Sequence, residues 1–168
     1  RLAEAGVEFI KGDVRNPEDL APFKDIDALI ECSAEPSVMS GTDGDTSYEE
    51  LGCIGYDPVE DALVGVFTVK RPSGYSGGPC TDGSTEHVAF WVDWGSGWEY
   101  VGTTATTVHD EDVPDDGLHY SVYHPLGSYA HRRACSDGPV QPRVRAILSW
   151  QQAPPPGDPD WRPVWGNR

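Results

Sequence analysis

The chain has 168 residues, which is enough for one ordinary domain or for a domain joined to a fragment. Its 12 lysine and arginine residues face 28 aspartate and glutamate residues, so the net charge is −16. This acidity disfavours nucleic acid and anionic membranes as partners, because both require cationic contacts. No apolar run approaches the roughly 18 residues of a membrane span, so no membrane insertion is predicted.

Features that report on cellular location point in two directions. The chain opens at Arg1 rather than at methionine and no signal-like segment follows, which predicts a processed or truncated amino terminus. The cysteines Cys32, Cys53, Cys80 and Cys135 show neither a CxxC motif nor metal-ligand spacing. Among the last three, one disulfide with a leftover thiol and three reduced thiols both fit. The β-rich residues 46–168 favour an extracellular or cell-surface location, whereas residues 1–45 favour a cytoplasmic location.

The first 45 residues predict a short β-α-β unit. Arg1–Ala5 is typical of the end of a helix, and Gly6 stops that helix. Val7–Lys11 and Asp27–Cys32 are short apolar strands, and a helix begins between them with Asn16 as its cap. A strand, a helix and a strand in this order imply a right-handed parallel crossover. Residues 1–45 are therefore predicted to be a partial Rossmann-like segment.

The residues of this segment carry a family resemblance over positions 1–48. GVEFIKGDVRNPEDL followed by DALIECSAEPSV resembles the NAD-dependent nucleotide-sugar epimerases and dehydratases of the extended short-chain dehydrogenase/reductase family, in particular the CDP-paratose and CDP-tyvelose 2-epimerases. The resemblance implies that Asp13 hydrogen-bonds the adenine amino group and that the backbone of Val14 contacts the adenine ring. It also implies that Ser33 and Ala34 let the backbone pass close to the cofactor.

The chemistry of that family requires two motifs that the sequence lacks. The strand and the GxxGxxG turn that seat the pyrophosphate belong upstream of the point where the chain begins. A Tyr-x-x-x-Lys pair should follow, with tyrosine as the acid and base, but none of the seven tyrosines has a lysine four residues later. The fragment is therefore predicted to be inactive. No cofactor is expected, and NAD would bind only if this fragment were functional.

From residue 46 onward the pattern changes to many short strands separated by Gly, Pro, Asp and Ser. Gly95-Ser96-Gly97 between two of them is typical of a tight hairpin. The predicted fold class is mainly β: residues 46–168 form an antiparallel β-sandwich of immunoglobulin-like shape, with a β-barrel as the alternative. The seven predicted strands are Leu51–Tyr56, Ala62–Lys70, Glu86–Trp94, Trp98–Thr103, Thr106–His109, Leu118–His124 and Arg143–Trp150.

One of these strands indicates which side chains face the core. Val88, Phe90 and Val92 form one apolar face, because successive side chains on a strand point to opposite sides of the sheet. Ala89 and Trp91 lie between them and take the other face. Asp93 shares that other face, and the alternation therefore predicts that the strand is buried on one face.

The last 18 residues, 151–168, form a tail rich in proline and tryptophan. Its prolines favour the stiff polyproline II conformation and cannot donate to a β ladder. The tail either wraps back over the domain, with Trp161 and Trp165 covering apolar surface, or binds a groove in another protein. Wrapping is the favoured interpretation. Residues 51–168 are also similar to uncharacterised bacterial β-rich domains that end in Trp-Gly-Asn-Arg, and this resemblance implies the fold alone.

An acidic run between two predicted strands is a candidate metal site. Asp110, Asp112, Asp115 and Asp116 are candidate calcium ligands, because calcium takes six to eight oxygen atoms and a flexible acidic loop can supply several. Their spacing departs from the D-x-[DN]-x-[DN]-G pattern of known calcium loops. A solvated acidic turn is therefore the favoured alternative.

Aromatic residues on the strands are a candidate ligand platform. Trp91, Trp94 and Trp98, with Tyr100 and Trp150, could stack against sugars on a sheet surface. Aromatic side chains on strands more often belong to the core, and this alternative stays open. An exposed set of rings would favour the platform.

The sequence predicts a non-catalytic module, a β-sandwich that serves in binding or in structure and carries an inactive epimerase-like fragment. A glycan or a protein is the expected ligand, nucleic acid and membrane insertion are not expected, and the oligomeric state is open. The alternative function is a remnant of an NAD-dependent nucleotide-sugar epimerase or dehydratase joined to an unrelated domain. Binding of NAD would distinguish the two.

Overall fold

The structure is a computed structural model that describes residues 44–131 and 141–168. The predicted strands Val7–Lys11 and Asp27–Cys32, and the helix between them, lie outside these residues. Within them the chain is mainly β, as predicted, with six antiparallel strands, a 3-10 turn at Ser128–His131 and no α-helix. The strands are β1 (Glu49–Asp57), β2 (Ala62–Val69), β3 (Ser84–Asp93), β4 (Trp98–Val108), β5 (Leu118–Pro125) and β6 (Arg143–Trp150).

The six strands form two sheets of three strands each. The first sheet has the order β1-β2-β5 and the second the order β4-β3-β6. Short hairpins connect β1 to β2 and β3 to β4. The predicted hairpin at residues 95–97 is confirmed, and Asp93 stabilises it because Asp93 Oδ1 accepts hydrogen bonds from Gly95 N (2.8 Å) and Gly97 N (2.9 Å). Both glycines have positive φ angles, 112° and 109°, which favour glycine.

Strand β4 differs from the prediction of two separate strands, at Trp98–Thr103 and Thr106–His109. The structure has one strand across both ranges, because pairing with β3 continues along its whole length. The register shifts between Phe90 and Trp91, where a bulge at Val101 absorbs one extra residue of β4. The prediction of seven strands was therefore wrong by one, because Thr104 and Ala105, which lie in the predicted gap, pair with Val88 and His87 of β3.

The inward faces of both sheets share one apolar cluster. Its buried members on β2, β3 and β6 are Leu63, Phe67, Val69, Val88, Phe90, Val92, Ala146 and Leu148. Burying one such side chain fully contributes about 1.5–3 kcal/mol. The alternation predicted for β3 is confirmed, because Ala89 and Trp91 belong instead to a second cluster, together with Ile147 of β6. The second sheet thus has apolar side chains on both faces.

The tail wraps back over the outer face of the second sheet, as predicted. Trp161 packs against the second apolar cluster. Trp91 Nε1 donates a hydrogen bond to Pro156 O at 3.0 Å, and Arg145 Nη1 donates to Pro159 O at 3.0 Å. These side-chain hydrogen bonds satisfy tail carbonyl groups that are not paired in a β-sheet. The tail is therefore part of the folded domain and covers apolar surface that would otherwise face solvent.

Candidate functional site

A cavity of about 200 Å³ lies where the start of β1, the loop after β2, the end of β6 and the tail meet. This volume is below the roughly 300–1,000 Å³ of typical ligand pockets, so the space suits a small group rather than a large ligand. We call it the aromatic pocket. Its lining residues are Tyr48, Glu49, Gly74, Tyr75, Trp150 and Trp165.

Three of the aromatic rings stand nearly at right angles to their neighbours. The rings of Tyr48 and Tyr75 are 6.1 Å apart with an angle of 78° between their planes. The rings of Tyr48 and Trp165 are 5.3 Å apart at 81°. Edge-to-face packing is the favoured arrangement for aromatic pairs, because the positive edge of one ring meets the negative face of the other. The walls of the aromatic pocket therefore stabilise one another.

Hydrogen bonds from a distant loop position Tyr75. Asp110 Oδ1 accepts hydrogen bonds from Gly74 N (2.9 Å) and Tyr75 N (2.7 Å), and Tyr75 Oη donates to Tyr48 O at 2.9 Å. Gly74 has a φ angle of +118°, and a Cβ atom there would lie 2.4 Å from Tyr48 Cε1. Only glycine lets the backbone follow this path and leaves room for the ring of Tyr48.

The tail supplies Trp165 to the pocket through a short parallel bridge with Asp45. Asp45 N donates to Val164 O at 2.9 Å, and Gly166 N donates to Asp45 O at 2.9 Å. Trp150 N at the end of β6 donates to Trp165 O at 3.4 Å. The backbone on both sides of Trp165 is therefore fixed, and its ring is held against Tyr48.

Glu49 is the carboxyl side chain among the residues that line the pocket. The residue is 1% exposed, and its Oε1 atom is buried without a hydrogen-bond partner among the described residues. Burial, together with the nearby carboxyl groups of Glu86 and Asp45, raises the pKa of Glu49 to about 8. An unsatisfied buried acceptor lowers the stability of the folded state by about 1–3 kcal/mol.

A second buried carboxyl group, Glu86, comes from the other sheet. Ser84 Oγ donates to Glu86 Oε1 at 3.0 Å, but Glu86 Oε2 is buried with no partner in the described part of the chain. Burial raises the pKa of Glu86, and the hydrogen bond from Ser84 lowers it. Burial has the larger effect, so the pKa is about 7. Burial also raises the pKa of Tyr75, and the carboxyl groups of Glu49 and Glu86 raise it further. Perturbed groups of this kind concentrate at functional sites.

The candidate calcium ligands do not lie together around a shared space. Asp110 Oδ1 holds the loop at Gly74 and Tyr75, while Asp112, Asp115 and Asp116 are exposed. Among residues 44–131 and 141–168, no three His, Cys, Asp or Glu side chains are grouped so that they could hold a metal ion. Calcium binding by this loop stays a prediction, and the visible role of Asp110 is to position the aromatic pocket.

The platform of Trp91, Trp94 and Trp98 is wrong for Trp91. Its Nε1 donates to Pro156 O and Trp161 packs against the same cluster, so the tail occupies the face of the sheet that a ligand would need. The half-buried Trp94 stacks on His131 with ring centroids 3.9 Å apart. The half-buried Trp98 lies under the guanidinium groups of Arg143 and Arg145, at 5.3 Å and 4.2 Å.

The three predicted platform residues, Trp91, Trp94 and Trp98, thus lie outside the aromatic pocket. Of the wider set of rings, Trp150 does line it, and Trp165 was predicted only as a cover for apolar surface. Glu49 and Glu86 were missed. The strand alternation could have identified them, because residues two apart on a strand face the same side of the sheet. Glu49 lies two residues before the inward-facing Leu51, and Glu86 lies two residues before the inward-facing Val88.

The remaining predicted positions are the cofactor-binding residues and the cysteines. Asp13, Val14, Ser33 and Ala34 lie outside the described residues, as does Cys135. No disulfide joins Cys53 to Cys80, the two cysteines in the described part, and Cys80 is exposed.

No known protein family, curated protein or solved structure matches the chain. The resemblances of residues 1–48 and 51–168 therefore stay predictions. In the part of the chain that the structure describes, no helix has the length and apolar character needed to cross a membrane.

Proposed function

We propose that residues 46–168 form an immunoglobulin-like β-sandwich that acts as a non-catalytic binding module, with an inactive epimerase-like fragment before it. The sandwich is supported by two three-stranded antiparallel sheets whose inward side chains belong to one apolar cluster. The ligand is a segment of a protein or a glycan, and it docks in the aromatic pocket.

The observation that carries this proposal is the Oε1 atom of Glu49, which has no hydrogen-bond partner among the described residues and belongs to a pocket walled by aromatic rings. Binding sites are typically concave, mostly apolar and equipped with a few polar groups that fix orientation. Glu49 supplies the polar group, and Tyr48, Tyr75 and Trp165 supply the apolar walls. A ligand that satisfies Glu49 would remove the cost of its missing hydrogen bond.

The lining favours binding over hydrolysis of a glycan. Glycoside hydrolysis typically uses two carboxyl groups on either side of the bond that breaks. The described lining offers the carboxyl group of Glu49 alone, since Glu86 lies within electrostatic reach of Glu49 but does not line the pocket. The hydroxyl group of Tyr75 is already engaged as a donor to Tyr48 O.

The alternative function, a remnant of an NAD-dependent nucleotide-sugar epimerase, depends on Asp13, Val14, Ser33 and Ala34. A calorimetric titration with NAD addresses it directly. The binding-module proposal expects no saturable heat, and saturable binding in the micromolar range would favour the epimerase remnant.

A panel of small neutral, cationic and anionic fragments tests the binding module. Saturation-transfer NMR should detect binding of at least one class to the wild-type chain at millimolar concentration. Trp150→Ala removes a wall at the rim and should abolish that signal. Tyr123→Ala removes an exposed ring on β5, outside the pocket, and should leave the signal unchanged. A panel without any binder, or a signal that survives Trp150→Ala, would count against the proposal.

A further inference from the structure

We propose that the aromatic pocket binds the ammonium group of a lysine side chain from a protein partner, with Glu49 as its counter-charge and the rings of Tyr48, Tyr75 and Trp165 around it. This inference rests on the proposed binding function and names the ligand of the same site.

The charges around Glu49 favour a cationic ligand. Glu49 is buried with an unpartnered oxygen, and the basic side chains that follow β2 are engaged elsewhere. Lys70 Nζ contacts Glu50 Oε2 at 2.5 Å, and Arg71 Nε donates to Ser47 O at 3.2 Å. A buried carboxyl group that has no cationic partner among residues 44–131 and 141–168 is complementary to a cation from a ligand. The net charge of −16 draws basic partners to the whole molecule.

The aromatic walls favour a cation as well. Tyr48, Tyr75 and Trp165 all line one small space, and the ring planes of Tyr75 and Trp165 stand at 78° and 81° to that of Tyr48. The face of an aromatic ring carries negative charge and attracts cations within about 6 Å of its centre, and aromatic cages use this to bind ammonium groups. Trp150 extends this wall at the rim, where it is 37% exposed.

The lining favours lysine over an amino sugar, which carries the same ammonium group. A sugar ring brings several hydroxyl groups, each of which needs a hydrogen-bond partner once it is buried. The described lining has Glu49 and mostly apolar ring surface, and Tyr75 Oη already donates to Tyr48 O. A lysine side chain has an apolar stem and a charged tip, which fit aromatic walls that end in a carboxylate.

Proton balance also fits this ligand. Glu86 from β3 and Asp45 from the preceding segment are the charged groups that act on Glu49, and Tyr48 and Tyr75 are the titratable side chains beside it. Together with burial, the two carboxyl groups raise the pKa of Glu49 to about 8, so the empty pocket holds a proton there at neutral pH. Docking of an ammonium group would ionise Glu49 and release that proton to the buffer.

The test is isothermal titration calorimetry with a short peptide that is blocked at both ends and has one lysine as its only charged side chain, and with the same peptide acetylated at that lysine. The lysine peptide should bind the full chain at least tenfold more tightly than the acetylated peptide, with proton release that depends on the buffer. Glu49→Gln, which resembles the protonated side chain in shape, should weaken lysine binding at least tenfold. Glu50→Gln, the neighbour on β1 that pairs with Lys70, should leave it unchanged.

Each other outcome overturns the inference in a recognisable way. Equal binding of both peptides, unaffected by Glu49→Gln, would show that the pocket binds a peptide without recognising the ammonium group. Binding of glucosamine in place of the lysine peptide would make the ligand an amino sugar. Failure of both peptides while neutral fragments still bind would refute the lysine ligand alone, whereas failure of every probe would refute the binding module as well. Thermal melting of Glu49→Gln at pH 6 checks that the variant is folded.

Discussion

The side-chain amide of Asn167 makes both of its hydrogen bonds to the backbone of Leu51. Asn167 Oδ1 accepts from Leu51 N at 2.6 Å, and Asn167 Nδ2 donates to Leu51 O at 3.0 Å. The backbone carbonyl of Asn167 accepts from Leu148 N at 2.8 Å. Leu51 lies on β1 and Leu148 on β6, which are edge strands of different sheets. One residue near the end of the tail therefore connects the two sheets and occupies backbone groups that would otherwise be unpaired.

Asn167→Ala should destabilise the fold by about 2–4 kcal/mol, because it removes two buried hydrogen bonds and leaves both backbone groups of Leu51 unsatisfied. Urea denaturation followed by tryptophan fluorescence measures the free energy of unfolding. Val164→Ala is the matched control in the same tail, since Val164 is 75% exposed, and it should stay within about 0.5 kcal/mol of the wild type. Equal stability of the two variants would show that the tail does not connect the sheets.

Stability should fall as the pH rises from 5 to 9, because the folded protein keeps a proton on Glu49. The ordinary pKa of a glutamate is 4.5 and the folded value is about 8, so the unfolded chain binds fewer protons between these values. The stabilisation is complete below pH 4.5 and is lost as the pH rises through 8. At about 1.4 kcal/mol for each pKa unit, the melting temperature should drop by roughly 10 °C over this range.

Two variants isolate the contribution of Glu49 from that of the other acids. Glu49→Gln should flatten the dependence of melting temperature on pH, leaving the smaller slope due to Glu86, whose pKa is about 7. Glu50→Gln changes the same charge on the exposed face of β1 and should keep the wild-type slope. Parallel curves for wild type and Glu49→Gln would rule out a protonated Glu49 in the folded state.

Gly74→Ala should disrupt the aromatic pocket, in addition to the backbone strain that alanine has at a positive φ angle. The added Cβ would lie 2.4 Å from Tyr48 Cε1, so the ring of Tyr48 must move. Gly95→Ala is a matched control, because Gly95 has a similar φ angle of +112° but no atom within 4 Å of its added Cβ. Both variants should lose about 1–3 kcal/mol from backbone strain. Fragment or peptide binding should fall in Gly74→Ala only, and equal loss in both would contradict the role of Tyr48 as a wall.

Asp110→Ala should destabilise the chain by about 1–3 kcal/mol, since the backbone amides of Gly74 and Tyr75 would lose their charged acceptor. Asp112→Ala, at an exposed neighbour in the same acidic loop, should have almost no effect on thermal melting without added metal. A rise in melting temperature on adding calcium, reversed by a chelator and absent in Asp112→Ala, would instead show that the loop binds calcium. No change in either variant would show that Asp110 does not hold the loop.

The strands were predictable because their signal is local. Alternation along β3 placed Val88, Phe90 and Val92 on one face, and glycines at 95 and 97 marked the hairpin. The continuous β4 was not predictable in this way. Its continuity depends on the pairing of Thr104 and Ala105 with β3, which the sequence of β4 alone does not reveal.

The aromatic pocket was less accessible to sequence reasoning, because its residues come from four separated segments. Tyr48 and Glu49 precede the first predicted strand, Tyr75 lies in a glycine-rich loop, and Trp165 lies in the tail. Their proximity follows from bonds between distant residues, such as Asp110 with Tyr75 and Asp45 with Val164. An acidic residue in the inward phase of a strand is the one local signal that could have directed attention to Glu49.

The most direct test of a binding module with an aromatic pocket is an NMR titration of the tryptophan indole N–H groups with the lysine peptide. The signals of Trp150 and Trp165 should shift and saturate together, because both rings line the pocket. The signal of Trp91, which donates to Pro156 O beneath the tail, should stay in place. Saturable shifts confined to Trp94 or Trp98, with Trp150 and Trp165 unchanged, would place the binding site elsewhere and contradict the account.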